Sequence, residues 1–116
     1  MRREIGIYYL TEDGKKMLSN VPIININDKI FITATSDEVY MVTLGRKMRL
    51  REFTKKFLKE LIKRKCLNRS EIRSSPDRRL LMSAMRLFRL LRMARYRDDK
   101  ICIEPKPNIL RVLGLA

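Results

Sequence analysis

The sequence predicts an α+β fold in which a small antiparallel β-meander packs on two long, basic, amphipathic helices with a short helix between them. Branched apolar residues and turn-forming pairs alternate in residues 1–44, whereas from residue 48 the apolar residues follow helical spacing. The chain has 116 residues, the size of a single domain with one hydrophobic core. We therefore expect one domain whose first part, residues 1–44, is β-rich and whose second part, residues 45–116, is helical.

The β-rich part begins with an apolar, aromatic stretch over residues 4–10 that predicts a strand. Thr11 offers a cap to a short helix over residues 12–18, and a hairpin turn at Asp13-Gly14 is the alternative. The meander itself is predicted from three strands and two turn-forming pairs: residues 21–26, Asn27-Asp28, residues 29–35, Ser36-Asp37 and residues 38–44.

The first long helix is predicted over residues 48–65. One face of it carries Leu50, Phe53, Phe57 and Leu61, and the opposite face carries Lys55, Lys56, Lys59 and Lys63. A short helix then runs from Asn68 to about Arg73, because Asn68 and Glu71 have the spacing of a capping box.

The second long helix is predicted over residues 76–96 and begins at the clearest boundary in the sequence, Ser75-Pro76-Asp77. Its apolar stripe, which must be buried, consists of Leu80, Ala84, Leu87, Leu91 and Ala94. The opposite arc carries Arg78, Arg86, Arg89 and Arg92, flanked by Arg79, Arg95 and Arg97, with Met82, Met85, Met93 and Tyr96 between them. We expect the methionines to pack, and Tyr96 either to stack on an unpaired base or to cover the helix end.

After this helix, Asp98-Asp99 marks a turn and residues 100–103 predict a strand. Pro105 and Pro107 then fix an extended stretch before a short apolar tail, residues 109–115.

The charge of the chain indicates a polyanionic partner. The net charge is +14, and residues 45–116 hold 22 basic and seven acidic side chains. Between Arg78 and Arg97 every charged residue is arginine, so acidic neighbours within the helix cannot neutralise this face. Because the guanidinium group matches phosphate oxygens in pairs, we expect these arginines to bind nucleic acid, with DNA favoured over RNA.

The alternatives for the arginine face are docking to an acidic protein and a solvated surface. For the lysine face of the first helix, Lys55, Lys56, Lys59 and Lys63, phosphate contact and solvation are equally well supported, since Glu52 and Glu60 lie among the lysines.

Catalytic residues are scarce in this sequence. The chain has no histidine, and its four glycines match no phosphate-binding loop. The acidic pairs Asp37-Glu38 and Asp98-Asp99 fall at predicted turns, where solvation explains them better than a metal ion. We expect a protein that is not an enzyme and that uses no cofactor and no metal.

The two cysteines, Cys66 and Cys102, lack the spacing of a zinc site. Two buried thiols are the favoured interpretation, with a disulfide as the alternative for a hyperthermophilic source. The absence of glutamine and histidine, together with abundant Ile, Lys and Arg, is typical of a thermophilic or archaeal protein.

The sequence favours a cytoplasmic protein without a membrane segment. Charged residues follow Met1 too closely for a signal peptide, and no run of about 18 uncharged apolar residues occurs. The apolar stripe of the second helix lacks the bulky aromatic anchors of a helix that lies on a membrane surface.

Two segments resemble parts of winged helix-turn-helix domains. Residues 7–18, IYYLTEDGKKML, look like the wing strand and following helix that often end such domains as Tyr-x-Leu-Thr-x-x-Gly. Residues 49–103 show the order helix, short capped helix, long Arg-rich helix, turn and strand. The resemblance implies a DNA-binding protein whose helix near Asp77 enters the major groove and whose residues 97–100 approach a wing.

A second resemblance concerns residues 87–101, LFRLLRMARYRDDKI, which look like the last helix of GINS subunits. It implies the alternative function of a non-catalytic subunit of a replication or transcription complex, whose basic helix docks on a protein partner. A homodimer is also compatible with the apolar spacing of the second helix.

Overall fold

Four antiparallel strands form the first sheet of the structure, a computed structural model that describes residues 23–46 and 49–116. In order across the sheet, they are β1 (Ile23–Asn27), β2 (Ile30–Ala34), β3 (Glu38–Thr43) and β4 (Arg49–Thr54). The three-stranded meander predicted from the sequence is confirmed, and a fourth strand extends it. The turn between β1 and β2 is fixed by Asn27, whose side-chain Oδ1 accepts hydrogen bonds from the backbone N–H groups of Lys29 and Ile30 at 2.8 and 3.0 Å.

The fourth strand corrects the predicted start of the first helix. Residues 49–54 pair along their whole length with β3, and helix α1 (Lys55–Arg64) begins only after them. Thr54 ends the strand and caps the helix, because its hydroxyl accepts a hydrogen bond from the N–H of Phe57 at 3.3 Å. Leu50 and Phe53 are three residues apart, which puts them on opposite faces of the sheet and imitates helical spacing in the sequence.

The second part of the chain contains three more helices and a second sheet. Its elements are β5 (Cys66–Asn68), α2 (Arg69–Ser74), α3 (Arg78–Leu90), β6 (Ala94–Arg97), β7 (Lys100–Ile103) and α4 (Pro107–Val112). The three strands pair antiparallel in the order β5-β7-β6. The short helix, the turn at Asp98-Asp99 and the strand after it are thereby confirmed. Asn68 precedes α2 as predicted but makes no side-chain capping hydrogen bond.

Helix α3 begins two residues later and ends earlier than predicted, so the two main helices have only 10 and 13 residues. The backbone of Arg92 turns into the left-handed region, with φ of 57°. The N–H of Met93 donates to the carbonyl of Phe88 at 2.7 Å, and the N–H of Arg92 donates to that of Arg89 at 2.9 Å. These two bonds form a Schellman motif, which closes the helix and releases residues 94–97 to pair with β7.

Arg92 occupies a position that favours glycine. Helix α4 ends in the same hydrogen-bond pattern, and there the left-handed residue is Gly114, with φ of 70°. We expect Arg92→Gly to stabilise the protein by roughly 0.5–1 kcal/mol. A residue with a side chain costs about 1–2 kcal/mol in the left-handed region, and glycine removes this cost. Part of the gain is offset because glycine gives the unfolded chain more conformational entropy. Arg92→Ala removes the same charge but keeps the Cβ atom. Urea denaturation measures the free energy of unfolding of both variants. Equal values would contradict the idea that the left-handed backbone of residue 92 is strained when it carries a Cβ atom.

A single cluster of buried side chains joins the two sheets and the helices. It includes Ile32 and Met41 from the first sheet, Leu58 from α1, Leu87 from α3 and Ile101 from β7. The tail after α4 closes this core, because Leu113 and Leu115 are buried in it. In the predicted stripe of the second helix, Ala84, Leu87 and Leu91 are buried, but Leu80 is 40% exposed and Ala94 lies in a strand. Met85 and Met93 pack in the core as expected, whereas Met82 is 58% exposed.

The cysteines form a disulfide, which corrects the expectation of two buried thiols. Cys66 on β5 lies directly opposite Cys102 on β7, and both residues are half-buried. The disulfide, which was the alternative interpretation of the sequence, is therefore present in the structure.

The predicted strand over residues 4–10, the helix over residues 12–18 with its alternative turn at Asp13-Gly14, and the first wing-like segment all lie outside the described residues. No helix among the described residues is long and apolar enough to cross a membrane.

Candidate nucleic-acid interface

The exposed face of α3 carries most of the arginines that the sequence singled out. Arg78, Met82, Arg86 and Arg89 follow one another at spacings of four, four and three residues, and Arg79 lies beside them. All five are exposed, whereas Ala84, Met85, Leu87 and Phe88 on the other side of the helix are buried. The apolar side therefore holds the helix against the core and leaves the arginine side in solvent.

This face of α3 is strongly positive. The helix contains no acidic residue, and none of the ion pairs between described residues involves Arg78, Arg79, Arg86 or Arg89. Four guanidinium groups on one helix without carboxylate partners attract an anion.

Helix α2 adds two further arginines, Arg69 and Arg73, that the sequence reasoning did not select. The guanidinium group of Arg69 lies 5.2 Å from the centre of the Tyr96 ring, and that of Arg89 lies 5.6 Å from it. Residues from α2, α3 and β6 therefore meet at one aromatic ring. The sequence did contain a signal for these two arginines, since Arg69 and Arg73 are four residues apart and share one face of the short helix.

A concavity of about 230 Å³ lies between these three elements. Its floor is formed by Ile72, Met85 and Ile101, which are all buried. Its rim is formed by the exposed residues Arg69, Arg73, Met82 and Tyr96. An apolar floor with a cationic rim suits a flat apolar group that carries a negative charge nearby.

The acidic residue of α2 faces away from this arginine cluster. The carboxylate of Glu71 accepts a hydrogen bond from Nη2 of Arg64 at 2.6 Å. This hydrogen bond lowers the pKa of Glu71 below its ordinary value, so the carboxylate stays ionised at neutral pH. Its charge is matched by Arg64 of α1 and does not offset Arg69 or Arg73.

Arg95 and Arg97 lie apart from the α3 face, which corrects their place on one helical arc. In β6 they alternate with Tyr96, so they point from the opposite face of the second sheet. Both contact Glu104, with Arg95 Nε 3.2 Å and Arg97 Nη2 3.6 Å from its carboxylate oxygens. Arg92 is exposed in the turn between α3 and β6.

The arginine face of α3 borders the first sheet. A second concavity, of about 380 Å³, is lined by Arg51 and Glu52 of β4 and by Arg79, Leu80 and Ser83 of α3. Arg51 and Arg79 are both exposed, and Glu52 is half-buried. Strand β4 therefore contributes one basic and one acidic side chain to the surface beside the arginine face.

The lysine face of α1 is a separate surface. Lys56, Lys59 and Lys63 are exposed and Lys55 is half-buried. Lys55, Lys56 and Lys59 line a concavity with Ser36 and Asp37 from the β2–β3 turn and with Glu38 of β3. No arginine of α3 lines this concavity.

The described part of the chain holds no group of three or more His, Cys, Asp or Glu side chains that could bind a metal ion. Residues 87–101, which resemble the last helix of GINS subunits, are helical only to Leu90 and continue as the β6–β7 hairpin. Comparisons of the chain with protein-family models, with curated proteins and with solved structures gave no match.

Proposed function

We propose that the protein binds nucleic acid, with DNA as the favoured partner, through the exposed face of α3 together with α2. The observation that carries this proposal is the row of Arg78, Arg79, Arg86 and Arg89 on a helix without any acidic residue. Arg69 and Arg73 continue the positive charge onto the neighbouring helix. Because a guanidinium group matches phosphate oxygens in pairs, a face with several arginines and no acidic residue suits a phosphate backbone.

The order of elements supports a winged helix-turn-helix arrangement for this function. Helix α1, strand β5, helices α2 and α3, and the β6–β7 hairpin follow one another, and β5 pairs with β7 at the sheet. In this arrangement α3 takes the place of the recognition helix in the major groove, and α2 crosses the backbone beside it. The β6–β7 turn, with Arg97 and Lys100 on either side of Asp98-Asp99, takes the place of a wing.

The arginines then have one role. They are placed to hold phosphates, which fixes the position of the protein on the duplex. This role belongs to Arg69 and Arg73 of α2 and to Arg78, Arg86 and Arg89 of α3. The chain supplies no reaction in this function; it supplies affinity and position.

Replacing Arg78 and Arg86 with alanine should weaken binding to duplex DNA and make it less sensitive to salt. If four to eight charges engage phosphates, log affinity falls against log salt concentration with a slope of roughly −4 to −7, and each lost contact reduces that slope by about one. Fluorescence anisotropy over a salt series measures both quantities. We expect the slope of the double variant to be about two smaller in magnitude than that of the wild type.

The matched control is the double variant Lys59→Ala and Lys63→Ala, which removes the same net charge from exposed positions of α1. Its salt slope should stay within experimental error of the wild-type slope. Equal losses in the two double variants would mean that net charge alone drives binding and that α3 is not the interface. If the wild-type protein bound no nucleic acid at low salt, the proposal would be rejected in favour of an acidic protein partner for the same face.

A further inference from the structure

The concavity between α2, α3 and β6 has apolar lining residues that the backbone of a fully paired duplex would not contact. Its floor is buried and apolar, and its two apolar rim residues, Met82 and Tyr96, are 58% and 47% exposed. Exposing a methionine and an aromatic ring in the middle of a charged surface costs free energy unless a partner covers them. The phosphate backbone of a duplex presents no apolar group to them.

The exposed ring of Tyr96 offers a surface on which a flat group can stack. Its ring is contacted by Arg69 and Arg89, and such exposed cation–π contacts are weak enough to exchange for others. When a base stacks on the ring, the same two guanidinium groups are within reach of the phosphates on either side of that base. A nucleotide joins a flat apolar ring to an anion, and the rim offers partners for both parts.

The volume of the concavity suits a single base. At about 230 Å³ it is smaller than a typical pocket for a drug-sized ligand, so it accepts one ring system. A paired base cannot enter it, because its faces are covered by its neighbours in the stack.

We propose that this concavity receives one unpaired base, so that the protein prefers nucleic acid with an unpaired base, such as a bulge or a single strand, to a fully paired duplex. This inference rests on the proposed function, since it assumes that the surrounding arginines hold the phosphates. Tyr96 provides the stacking surface, Met82 covers the other side of the base, and Arg69 and Arg89 bind the flanking phosphates.

The test compares a fluorescein-labelled DNA duplex of 16 base pairs, the same duplex with one unpaired thymine at its centre, and a single strand of equal length. Binding is measured by anisotropy at one fixed salt concentration for the wild type and for Tyr96→Leu, Tyr96→Phe and Met82→Ala. Stacking on one aromatic side chain corresponds to a gain of roughly 5- to 150-fold in affinity. The wild type should bind the bulged duplex more tightly than the paired duplex by a factor in this range.

Tyr96→Leu should lose this preference and keep its affinity for the paired duplex within about twofold, whereas Tyr96→Phe should retain the preference because the ring remains. Met82→Ala, which truncates the other exposed apolar residue of the rim, should reduce this preference. Both positions are exposed, and circular dichroism melting curves identify any variant that fails to fold.

The two proposals fail in different ways. Tight binding with equal affinity for paired and bulged DNA, or a preference that survives in Tyr96→Leu, would overturn the base pocket and leave nucleic-acid binding intact. Absence of binding to all three probes would overturn the proposed function itself, and the pocket with it.

Discussion

Reduction of the disulfide between Cys66 and Cys102 is expected to lower the free energy of unfolding by about 4 kcal/mol. The two residues are separated by 36 positions in the sequence, and a cross-link over a loop of that length restricts the unfolded chain strongly. For a protein of this size, the loss corresponds to a fall in Tm of roughly 15 °C. The loop contains α2, α3 and β6, so the bond closes the part of the chain that forms the candidate interface.

Strand β5 is a short element that carries one half of this bond. It has three residues, Cys66, Leu67 and Asn68, that pair with β7, and one backbone hydrogen bond flanks this pairing on each side. Each backbone hydrogen bond contributes about 0.5–1.5 kcal/mol net, so such a short strand is weakly held without a covalent link. After reduction, we expect the amide of Leu67 to exchange with solvent faster, ahead of the amides in α3.

Thermal melting with and without a phosphine reductant checks this prediction. The chain has two cysteines, so any effect of the reductant on Tm belongs to this bond. The double variant Cys66→Ser and Cys102→Ser should melt near the reduced wild type and should not respond to the reductant. A wild-type protein with two free thiols by mass spectrometry and an unchanged Tm would contradict the stabilising role.

The meander could be predicted from the sequence because its signals are local. Turn-forming pairs separate β1, β2 and β3, and the strands between them are rich in branched and aromatic residues. Strand β4 was missed because its apolar residues continue the spacing of the helix that follows. Leu50 and Phe53 are three residues apart, and Phe57 and Leu61 follow at intervals of four. These residues therefore fit one face of a helix, and only the pairing with β3 identifies residues 49–54 as a strand.

The end of α3 could not be predicted because its cause lies elsewhere in the chain. Residues 91–97 contain neither glycine nor proline, and their composition suits a helix. Pairing of β6 with β7 and the core position of Met93 favour a strand instead. The helix therefore stops at Leu90 and leaves an arginine in a left-handed conformation.

The sequence predicted only the part of the candidate site that lies on a single helix, α3. The face formed by Arg78, Arg79, Arg86 and Arg89 follows from spacing within α3. The contact of Arg69 with Tyr96 joins residues that are distant in sequence, and the pairing of Arg95 and Arg97 with Glu104 depends on the hairpin that separates them. Such contacts require the tertiary fold.

Replacing Leu87 with alanine is expected to destabilise the protein by about 2–5 kcal/mol. Leu87 has no exposed surface and belongs to the core cluster, between Ala84 and Leu91 along the buried side of α3. Truncation removes apolar surface that folding buries and leaves a cavity that close-packed neighbours fill only in part. Urea denaturation at equilibrium measures the change, with an unaltered dependence on urea concentration indicating that the unfolded state is the same.

Leu80→Ala is the matched control, because it makes the same substitution in the same helix at a residue that is 40% exposed. The change in helix propensity is common to both variants and cancels in the comparison. We expect Leu80→Ala to cost less than about 1 kcal/mol. Leu80 and Leu87 are seven residues apart and therefore lie on the same side of α3, so the comparison tests burial along the helix. If Leu80→Ala cost as much as Leu87→Ala, the first turn of α3 would be packed as closely as its centre, which would contradict the exposure of Leu80.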